Sequence, residues 1–207
     1  MLNFKMYLSV FFILIVTTLS AQIRFGAKAG IGYTNYRNIH IDSKARIGLN
    51  AGIVALQPFE RYDYKNFIQY ELNYVSHGEK NGNFNRHVNY IALPIMYKRY
   101  LSENDQTDIY LEIGPQFAYA ICNDFDKYEI EELGSKNNNY DYSDNHKLNK
   151  FDFSIGLGGG ISINRKTEVG LRYNYGLIDS FKHRYKDNNI NNSSLLSLSV
   201  TYLFGDY

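Results

Sequence analysis

The chain has 207 residues and a formal net charge of +1, which suits one domain and gives no electrostatic argument for a nucleic-acid partner. It contains 20 Tyr and 13 Phe but no Trp, and its mean hydropathy is negative. A negative mean hydropathy excludes a helical membrane protein, and a single cysteine, Cys122, excludes an internal disulfide.

The first 21 residues have the composition of a secretory signal peptide. Lys5 precedes an apolar run over 6–16, and the small residues Ser20 and Ala21 follow it. This run is too short to span a bilayer comfortably. We predict cleavage after Ala21, with Ser20 as the alternative, and one mature domain over 22–207.

Apolar and polar residues alternate along eight segments of the mature chain, which is typical of β-strands with one apolar and one polar face. In chain order, the predicted strands cover 23–36, 45–57, 67–76, 88–101, 108–121, 151–163, 168–178 and 195–204. We expect a bulge or kink at Pro94 in the fourth strand, because proline cannot donate to a strand ladder.

The clearest pair of strands is the hairpin over 151–178, with a turn at 164–167. Matching the apolar faces of its two strands places Ile163 beside Val169. The other face mixes glycine, small polar groups and charges, as in the polar lumen of a narrow membrane barrel whose apolar side meets lipid. A secreted lipocalin-like barrel would have these faces reversed. We therefore predict an all-β fold, an eight-stranded antiparallel up-and-down transmembrane β-barrel, which closes without free edges.

The connections between the predicted strands fall into a shorter and a longer set. The shorter ones are 58–66, 102–107 and 164–167, and the longer ones are 37–44, 77–87, 122–149 and 179–194. Short turns on one side and long polar loops on the other are typical of outer-membrane barrels. The lengths predict extracellular loops, periplasmic turns and both termini in the periplasm.

Several short motifs recur in the order that a known barrel family would have. The most specific positions are Tyr70, Glu71, Leu72, Tyr74, Asn89, Tyr90, Pro94, Gly114, Pro115, Arg172, Tyr173, Tyr175 and Gly176. With these motifs, nearly the whole mature chain resembles the PorT-like outer-membrane β-barrel family of Gram-negative bacteria. The resemblance implies an outer-membrane barrel that is inserted by the barrel-assembly machinery and has no common enzymatic activity. The founding type of that family is tied to a protein-secretion system.

Nine charged side chains are predicted to point into the lumen. Five are basic and four are acidic: Arg24, Lys28, Arg46, Lys98 and Arg172, and Glu71, Glu112, Asp152 and Glu168. Because unpaired charges in a narrow barrel would be costly, this near-balance predicts salt bridges that plug the interior. The alternatives are a conducting pore and a gated proton or ion path.

The predicted loops contain polar residues whose chemistry has to be considered. All five histidines lie there without metal-ligand spacing: His40, His77, His87, His146 and His183. The acidic residues within 124–144 do not match an EF-hand, and no nucleophile elbow accompanies the loop serines. We therefore predict no catalytic residues, no metal and no cofactor, with a lipid-modifying enzyme as the less favoured alternative.

Taken together, these patterns predict a small monomeric outer-membrane barrel with a non-enzymatic structural, surface-binding or scaffold role. Its expected partners are outer-membrane lipid, the barrel-assembly machinery during insertion, and other envelope or secretion proteins. The alternative function is a narrow channel or an accessory component of an outer-membrane secretion or transport system.

Overall fold

The computed structural model describes residues 23–36, 44–60, 64–81, 84–102, 106–123, 147–178, 181–182 and 192–205. The predicted signal peptide lies outside these residues. The described part contains the strands β1 (Arg24–Tyr36), β2 (Lys44–Pro58), β3 (Asn66–Asn81), β4 (Phe84–Tyr100), β5 (Thr107–Asn123), β6 (Lys147–Leu148), β7 (Phe151–Ile163), β8 (Thr167–Gly176), β9 (Phe181–Lys182) and β10 (Ser193–Leu203). Within it, no helix is long and apolar enough to cross a membrane.

Eight of these strands close into one antiparallel barrel, in the order β1-β10-β8-β7-β5-β4-β3-β2. Each barrel strand pairs with the next barrel strand along the chain, and β10 returns to β1 to complete the ring. The predicted eight-stranded up-and-down barrel is therefore confirmed. The two short strands, β6 and β9, pair only with each other, in a separate small sheet.

The alternation seen in the sequence is also the alternation of burial. Along β8, every second residue from Glu168 to Gly176 is buried, and the residues between them are exposed. The outward side chains are large and apolar, as for Leu157 with 62% of its surface exposed and Leu171 with 51%. The barrel thus presents an apolar outside and encloses its polar residues, as the predicted membrane barrel requires.

The two ends of the barrel differ in their connections. The end at which β2 connects to β3, β4 to β5 and β7 to β8 is called here the turn end, and it also holds the start of β1 and the end of β10. The opposite end is the loop end. Inside the turn end lies an apolar cluster of Val54, Leu56, Phe67, Tyr100, Tyr110 and Leu203. Toward the loop end lies a second cluster of Val75, Val88, Tyr90, Ala92, Ala118, Ala120 and Leu195.

The loop predicted over 77–87 is wrong, because this segment is mostly strand. β3 continues to Asn81 and β4 begins at Phe84, so two residues connect them. Beyond the apolar band both faces of a strand meet polar surroundings, and the alternation that marks a strand is lost. The sequence pattern therefore ended β3 too early and began β4 too late.

The predicted register of the β7–β8 hairpin is wrong by two residues. Val169 pairs with Ile161, and not with Ile163. A slip of two residues keeps every side chain on its own face, because the side-chain period of a strand is two. Matching the apolar faces could not distinguish these registers.

The turn between β7 and β8 fixes the register instead. Ile163 pairs with Thr167, which leaves 164–166 as the connection. Asn164 and Arg165 have φ angles of 50° and 48°, and the Lys166 amide donates to the Ile163 carbonyl over 3.0 Å. Two successive residues in the left-handed region are typical of a type I′ hairpin turn.

The bulge predicted at Pro94 is also wrong. Pro94 pairs in register with Gln116 of β5, and the register toward β3 is the same on both sides of the proline. The register shift of β4 lies between Asn89 and Tyr90 instead. The missing donor of Pro94 is accommodated by a short gap in the pairing with β3 and requires no extra residue.

Candidate functional site

The lumen contains a balanced set of buried charges. Among the described residues, five cationic and five acidic side chains are at most 9% exposed: Arg24, Lys28, Lys98, Arg165 and Arg172, and Glu71, Asp108, Glu112, Asp152 and Glu168. They come from the inward positions of the strands, except Arg165, which comes from the β7–β8 turn. The side chain of Arg46, which was also predicted to face inward, lies outside the described part of the structure.

Glu71 is the centre of the charged lumen. Its carboxylate accepts hydrogen bonds from Arg172 at 2.6 and 3.1 Å and from Lys28 at 3.2 and 3.3 Å. The amides of Gln69 and Asn73, on the same strand, donate to the same carboxylate. Buried carboxylates are stable when they are paired and their remaining lone pairs are filled, and Glu71 meets both conditions.

Arg172 joins Glu71 to a second carboxylate. Its Nε atom donates to Glu112 Oε1 over 2.6 Å, while its two terminal nitrogens bind Glu71. Glu71 lies on β3, Glu112 on β5 and Arg172 on β8, so this guanidinium spans the lumen. Lys28, on β1, brings a fourth strand to the same group. These four residues, Lys28, Glu71, Glu112 and Arg172, are called here the central network.

A second pair lies next to the central network, toward the turn end. Lys98 donates to Glu168, which also accepts a hydrogen bond from the Tyr100 hydroxyl. Lys98 further donates to Gln69 Oε1 over 3.0 Å, and Gln69 donates to Glu71, so the two groups share one hydrogen-bond chain. The Lys98 ammonium also lies 4.0 Å from the centre of the Tyr110 ring, within cation–π range.

Glycines on β7 and β8 provide the space for these long side chains. A β-carbon at Gly158, which pairs with Arg172, would lie 2.8 Å from Glu112 Oε1. A β-carbon at Gly170 would lie 2.1 Å from the hydroxyl of Tyr110. The glycine-rich inward face is therefore the complement of the charged and aromatic side chains that cross the lumen.

The turn end is closed by a residue that the sequence analysis missed. Arg165 donates to Asp108 Oδ2 over 3.2 Å and to the carbonyl of Tyr64 over 2.7 Å, and its guanidinium lies 5.0 Å from the centre of the Tyr100 ring. Asp108 also accepts the Ser102 amide. Arg165 follows the end of a strand, where alternation gives no direction, so the pattern contained no indication of its burial.

The remaining predicted residues lie at the two ends of the lumen. Arg24, at the turn end, donates to the carbonyl of Gly205 over 3.2 Å. Asp152, at the loop end, accepts a hydrogen bond from the Ser193 hydroxyl over 2.9 Å. Between these two ends, ion pairs and hydrogen bonds bring together six of the predicted residues: Lys28, Glu71, Lys98, Glu112, Glu168 and Arg172.

The loop residues considered for metal binding and hydrolysis are outside this description. His40, His146 and His183, the acidic residues within 124–144, and Ser143 and Ser180 are not among the described residues. His77 and His87 lie on β3 and β4 and not in a loop, and their side chains are not described. In the described part of the chain, no group of three or more His, Cys, Asp or Glu could hold a metal ion.

Residues 18–182 match the model of a protein family described as outer membrane protein beta-barrel domain. The chain belongs to this outer membrane β-barrel family. The family is one of outer membrane proteins, so the outer membrane is the location of this chain. The apolar exterior and the paired charges inside the barrel agree with that location. No curated protein matches this outer membrane β-barrel by sequence.

Solved structures share the fold of this outer membrane β-barrel at low sequence identity. The outer membrane enzyme PagL is 11% identical, with a TM-score of 0.50 over 86% of this chain and 98% of PagL. Neisserial surface protein A is 15% identical, with a TM-score of 0.47 over 88% of this chain and 97% of its own. OprG from Pseudomonas aeruginosa is 12% identical, with a TM-score of 0.46 over 88% of this chain and 94% of its own. At 11% identity, the comparison with PagL shows the fold alone.

Proposed function

We propose that this outer membrane β-barrel is a non-enzymatic membrane anchor with a closed lumen, and that it acts at its loop end in structural, surface-binding or scaffold roles. The observation that carries the proposal is the cross-lumen contact of Arg172 with Glu71 and Glu112. An ion that crossed the barrel would have to displace this guanidinium from two carboxylates. Such a displacement would leave buried charges unpaired in the lumen, which is energetically costly.

The layers on both sides of the central network support a closed lumen. Toward the turn end, Phe67 and Tyr100 are at most 1% exposed and pack edge to face, with ring centres 5.4 Å apart. Toward the loop end, Val88 and Ala92 are fully buried. These tightly buried side chains leave no room for the hydration shell of a permeating ion, so each layer adds a desolvation barrier to that of the ion pairs.

The proposal includes an orientation with the loop end outside the cell and both termini in the periplasm. Its support is that the start of β1 and the end of β10 lie at the turn end, whereas the long segments from β5 to β7 and from β8 to β10 lie at the loop end. The two-residue connection from β3 to β4 is the exception, because it is a short connection at the loop end. Outer-membrane barrels have short periplasmic turns and longer extracellular loops. In this orientation, the small sheet of β6 and β9 belongs to the outer surface, where a binding partner would meet it.

We also propose that the barrel is PorT-like, that it is monomeric, and that it has the partners expected from its sequence. The PorT-like relationship is supported by the positions of the motif residues, since Glu71, Gly114 and Arg172 are inward residues of β3, β5 and β8. The partners would be the barrel-assembly machinery during insertion and other envelope or secretion proteins afterwards. An accessory role in secretion would fit a closed barrel, whereas a channel would not.

Conductance of the refolded mature barrel, residues 22–207, in a planar bilayer tests the closed lumen. We expect no steady openings, and a water-filled porin in the same bilayer gives the positive control. Folding is verified beforehand by the heat-dependent gel shift of the barrel. Steady single-channel openings from a folded sample would contradict the proposal and would favour the channel.

A further inference from the structure

Asp152 differs from the other buried carboxylates of the described lumen. Each of the other four forms an ion pair with a lysine or an arginine: Glu71, Asp108, Glu112 and Glu168. Asp152 is also buried, with 9% of its surface exposed, but none of the described lysines and arginines forms an ion pair with it. A buried charge without a counterion is costly, so this carboxylate still requires a cation.

The surroundings of Asp152 leave one of its two oxygens without a hydrogen bond. Oδ2 accepts the Ser193 hydroxyl over 2.9 Å, and this hydroxyl lies over Gly176, where a β-carbon would collide with it. Oδ1 is buried and has no donor among the described residues. The partner of Asp152 on β5 is Ala118, whose side chain cannot donate. The carboxylate is therefore held through Oδ2, while Oδ1 requires a donor.

The interior of the barrel does not supply that donor. On the loop-end side of the central network, three further buried oxygens accept no hydrogen bond from the described residues: the amide oxygens of Asn50, Asn73 and Asn174. Asn73 lies two residues beyond Glu71, and Asn174 two residues beyond Arg172, on strands that run toward the loop end. This half of the lumen thus has unused acceptors, and a ligand that complements it brings donors and positive charge.

The missing cation can reach Asp152 from the loop end. Asp152 is the second residue of β7 and Ser193 is the first residue of β10, and both of these strand ends lie at the loop end. The buried cations of the described lumen are bound nearer its centre or at the turn end: Arg24, Lys28, Lys98, Arg165 and Arg172. A group that pairs with Asp152 therefore comes from outside this set.

We propose that Asp152 is a binding site for a primary ammonium or a guanidinium group that enters the lumen from the loop end. The chain pairs its other buried carboxylates with these same two groups, and both bring several N–H donors to a carboxylate. A metal ion fits less well, because it requires several oxygen ligands. In the described part of the chain, no group of three or more His, Cys, Asp or Glu could hold one.

Two sources can present such a group at the cell surface, a free amine or a basic side chain of a partner protein. The inference rests on the proposed function for the direction of approach, since that function has the loop end outside the cell. Binding at Asp152 does not itself depend on the orientation in the membrane. It can therefore be tested on the refolded barrel in detergent micelles, where both ends are accessible.

Unfolding in the presence of small cations tests the site. The mature barrel, residues 22–207, is unfolded with urea in micelles that contain methylammonium, N-acetyl-lysinamide or tetramethylammonium at equal concentration, and the heat-dependent gel shift measures the folded fraction. Tetramethylammonium has the same charge but no N–H donor. A ligand that binds only the folded barrel, at about ten times its dissociation constant, raises the folding equilibrium constant roughly tenfold.

We expect this gain from methylammonium or from the lysine derivative, and no gain from tetramethylammonium. The relative size of the two gains distinguishes the sources. A larger gain from the lysine derivative indicates a basic side chain of a partner, and a larger gain from methylammonium indicates a free amine.

Three variants assign the gain to Asp152. Asp152→Asn keeps the volume and the acceptor for Ser193 but removes the charge, and should abolish the gain. Glu60→Gln removes an exposed carboxylate at the turn end, so it is the matched control and should retain the gain. Arg46→Gln removes an inward-predicted cation whose side chain lies outside the described part of the structure, and should also retain the gain.

Three outcomes would overturn the proposal. Equal stability of the unmodified barrel in methylammonium, the lysine derivative and tetramethylammonium would show that no site for an N–H cation exists, and this result does not depend on the folding of any variant. A gain that persists in Asp152→Asn would mean that the cation binds elsewhere. A gain that appears only in Arg46→Gln would show that Arg46 is the counterion of Asp152. None of these measurements uses membrane current, so this proposal and the closed lumen can fail separately.

Discussion

The central network and the Arg165–Asp108 pair are both buried ion pairs, but the chain assembles them in different ways. Arg172 and Glu71 are 101 residues apart and lie on strands that face each other across the lumen, so their contact requires a closed barrel. Arg165 and Asp108 meet at the turn end, where a three-residue turn folds against the start of β5. The first contact reports on closure of the whole ring, and the second reports on the shape of one turn.

The largest effect is expected from the central network. Glu71→Ala removes the carboxylate that accepts from both Lys28 and the terminal nitrogens of Arg172, and we expect it to lower the free energy of unfolding by about 3–5 kcal/mol. The measurement is urea unfolding of the refolded barrel in lipid vesicles, followed by the heat-dependent gel shift. Glu60→Ala, at an exposed position of a turn-end connection, is the control and should change stability by less than about 0.5 kcal/mol. Equal losses for both variants would refute a central role for Glu71.

A smaller effect, with partial rescue, is expected from the neighbouring pair. Lys98→Met leaves the Glu168 carboxylate buried without its cationic partner, although the Tyr100 hydroxyl still donates to it. We expect the free energy of unfolding to fall by about 3 kcal/mol. Adding Glu168→Gln removes the unpaired charge, so the double variant should recover more than half of that loss. Losses that simply add in the double variant would show that Lys98 and Glu168 act independently.

The smallest effect is expected at the turn end. Arg165→Gly removes the partner of Asp108, but glycine suits a φ of 48° better than arginine does, so the net loss should be about 1 kcal/mol. The variant should remain silent in the planar bilayer, because the central network is unchanged. Asn164→Gly keeps Arg165 in place and controls for the backbone, with an expected effect close to zero or slightly stabilising. Current through the Arg165→Gly barrel would instead make the turn end the main barrier.

The parts of the fold that face lipid or the lumen could be predicted from the sequence, because there the period of two has a physical cause. Along β8, the outward Leu171 and Tyr173 alternate with inward residues such as Arg172, because one face meets lipid and the other meets the packed lumen. Beyond the apolar band this cause disappears, and the ends of β3 and β4 were misplaced for that reason.

Other features depended on information that alternation does not contain. A two-residue slip leaves the faces of β7 and β8 unchanged, so the backbone of Asn164 and Arg165 had to decide the register. The inward direction of Lys28 and Glu71 followed from the pattern, but their contact with each other did not, because it depends on which strands face each other after closure. Arg165 was missed because a turn residue has no predicted face.

The pairing of β1 with β10 bears on how the order of the strands along the chain could be changed. The Phe204 amide donates to the carbonyl of Phe25 over 2.7 Å, and Arg24 donates to the carbonyl of Gly205. The start of the first strand and the end of the last strand therefore lie side by side. A short peptide could join them, and the chain could be reopened between Asn81 and Phe84, where β3 and β4 are linked by two residues. Such a circular permutant would keep every lumen contact while changing which strand is synthesised first. It would separate the architecture of the finished barrel from the order in which its strands reach the membrane.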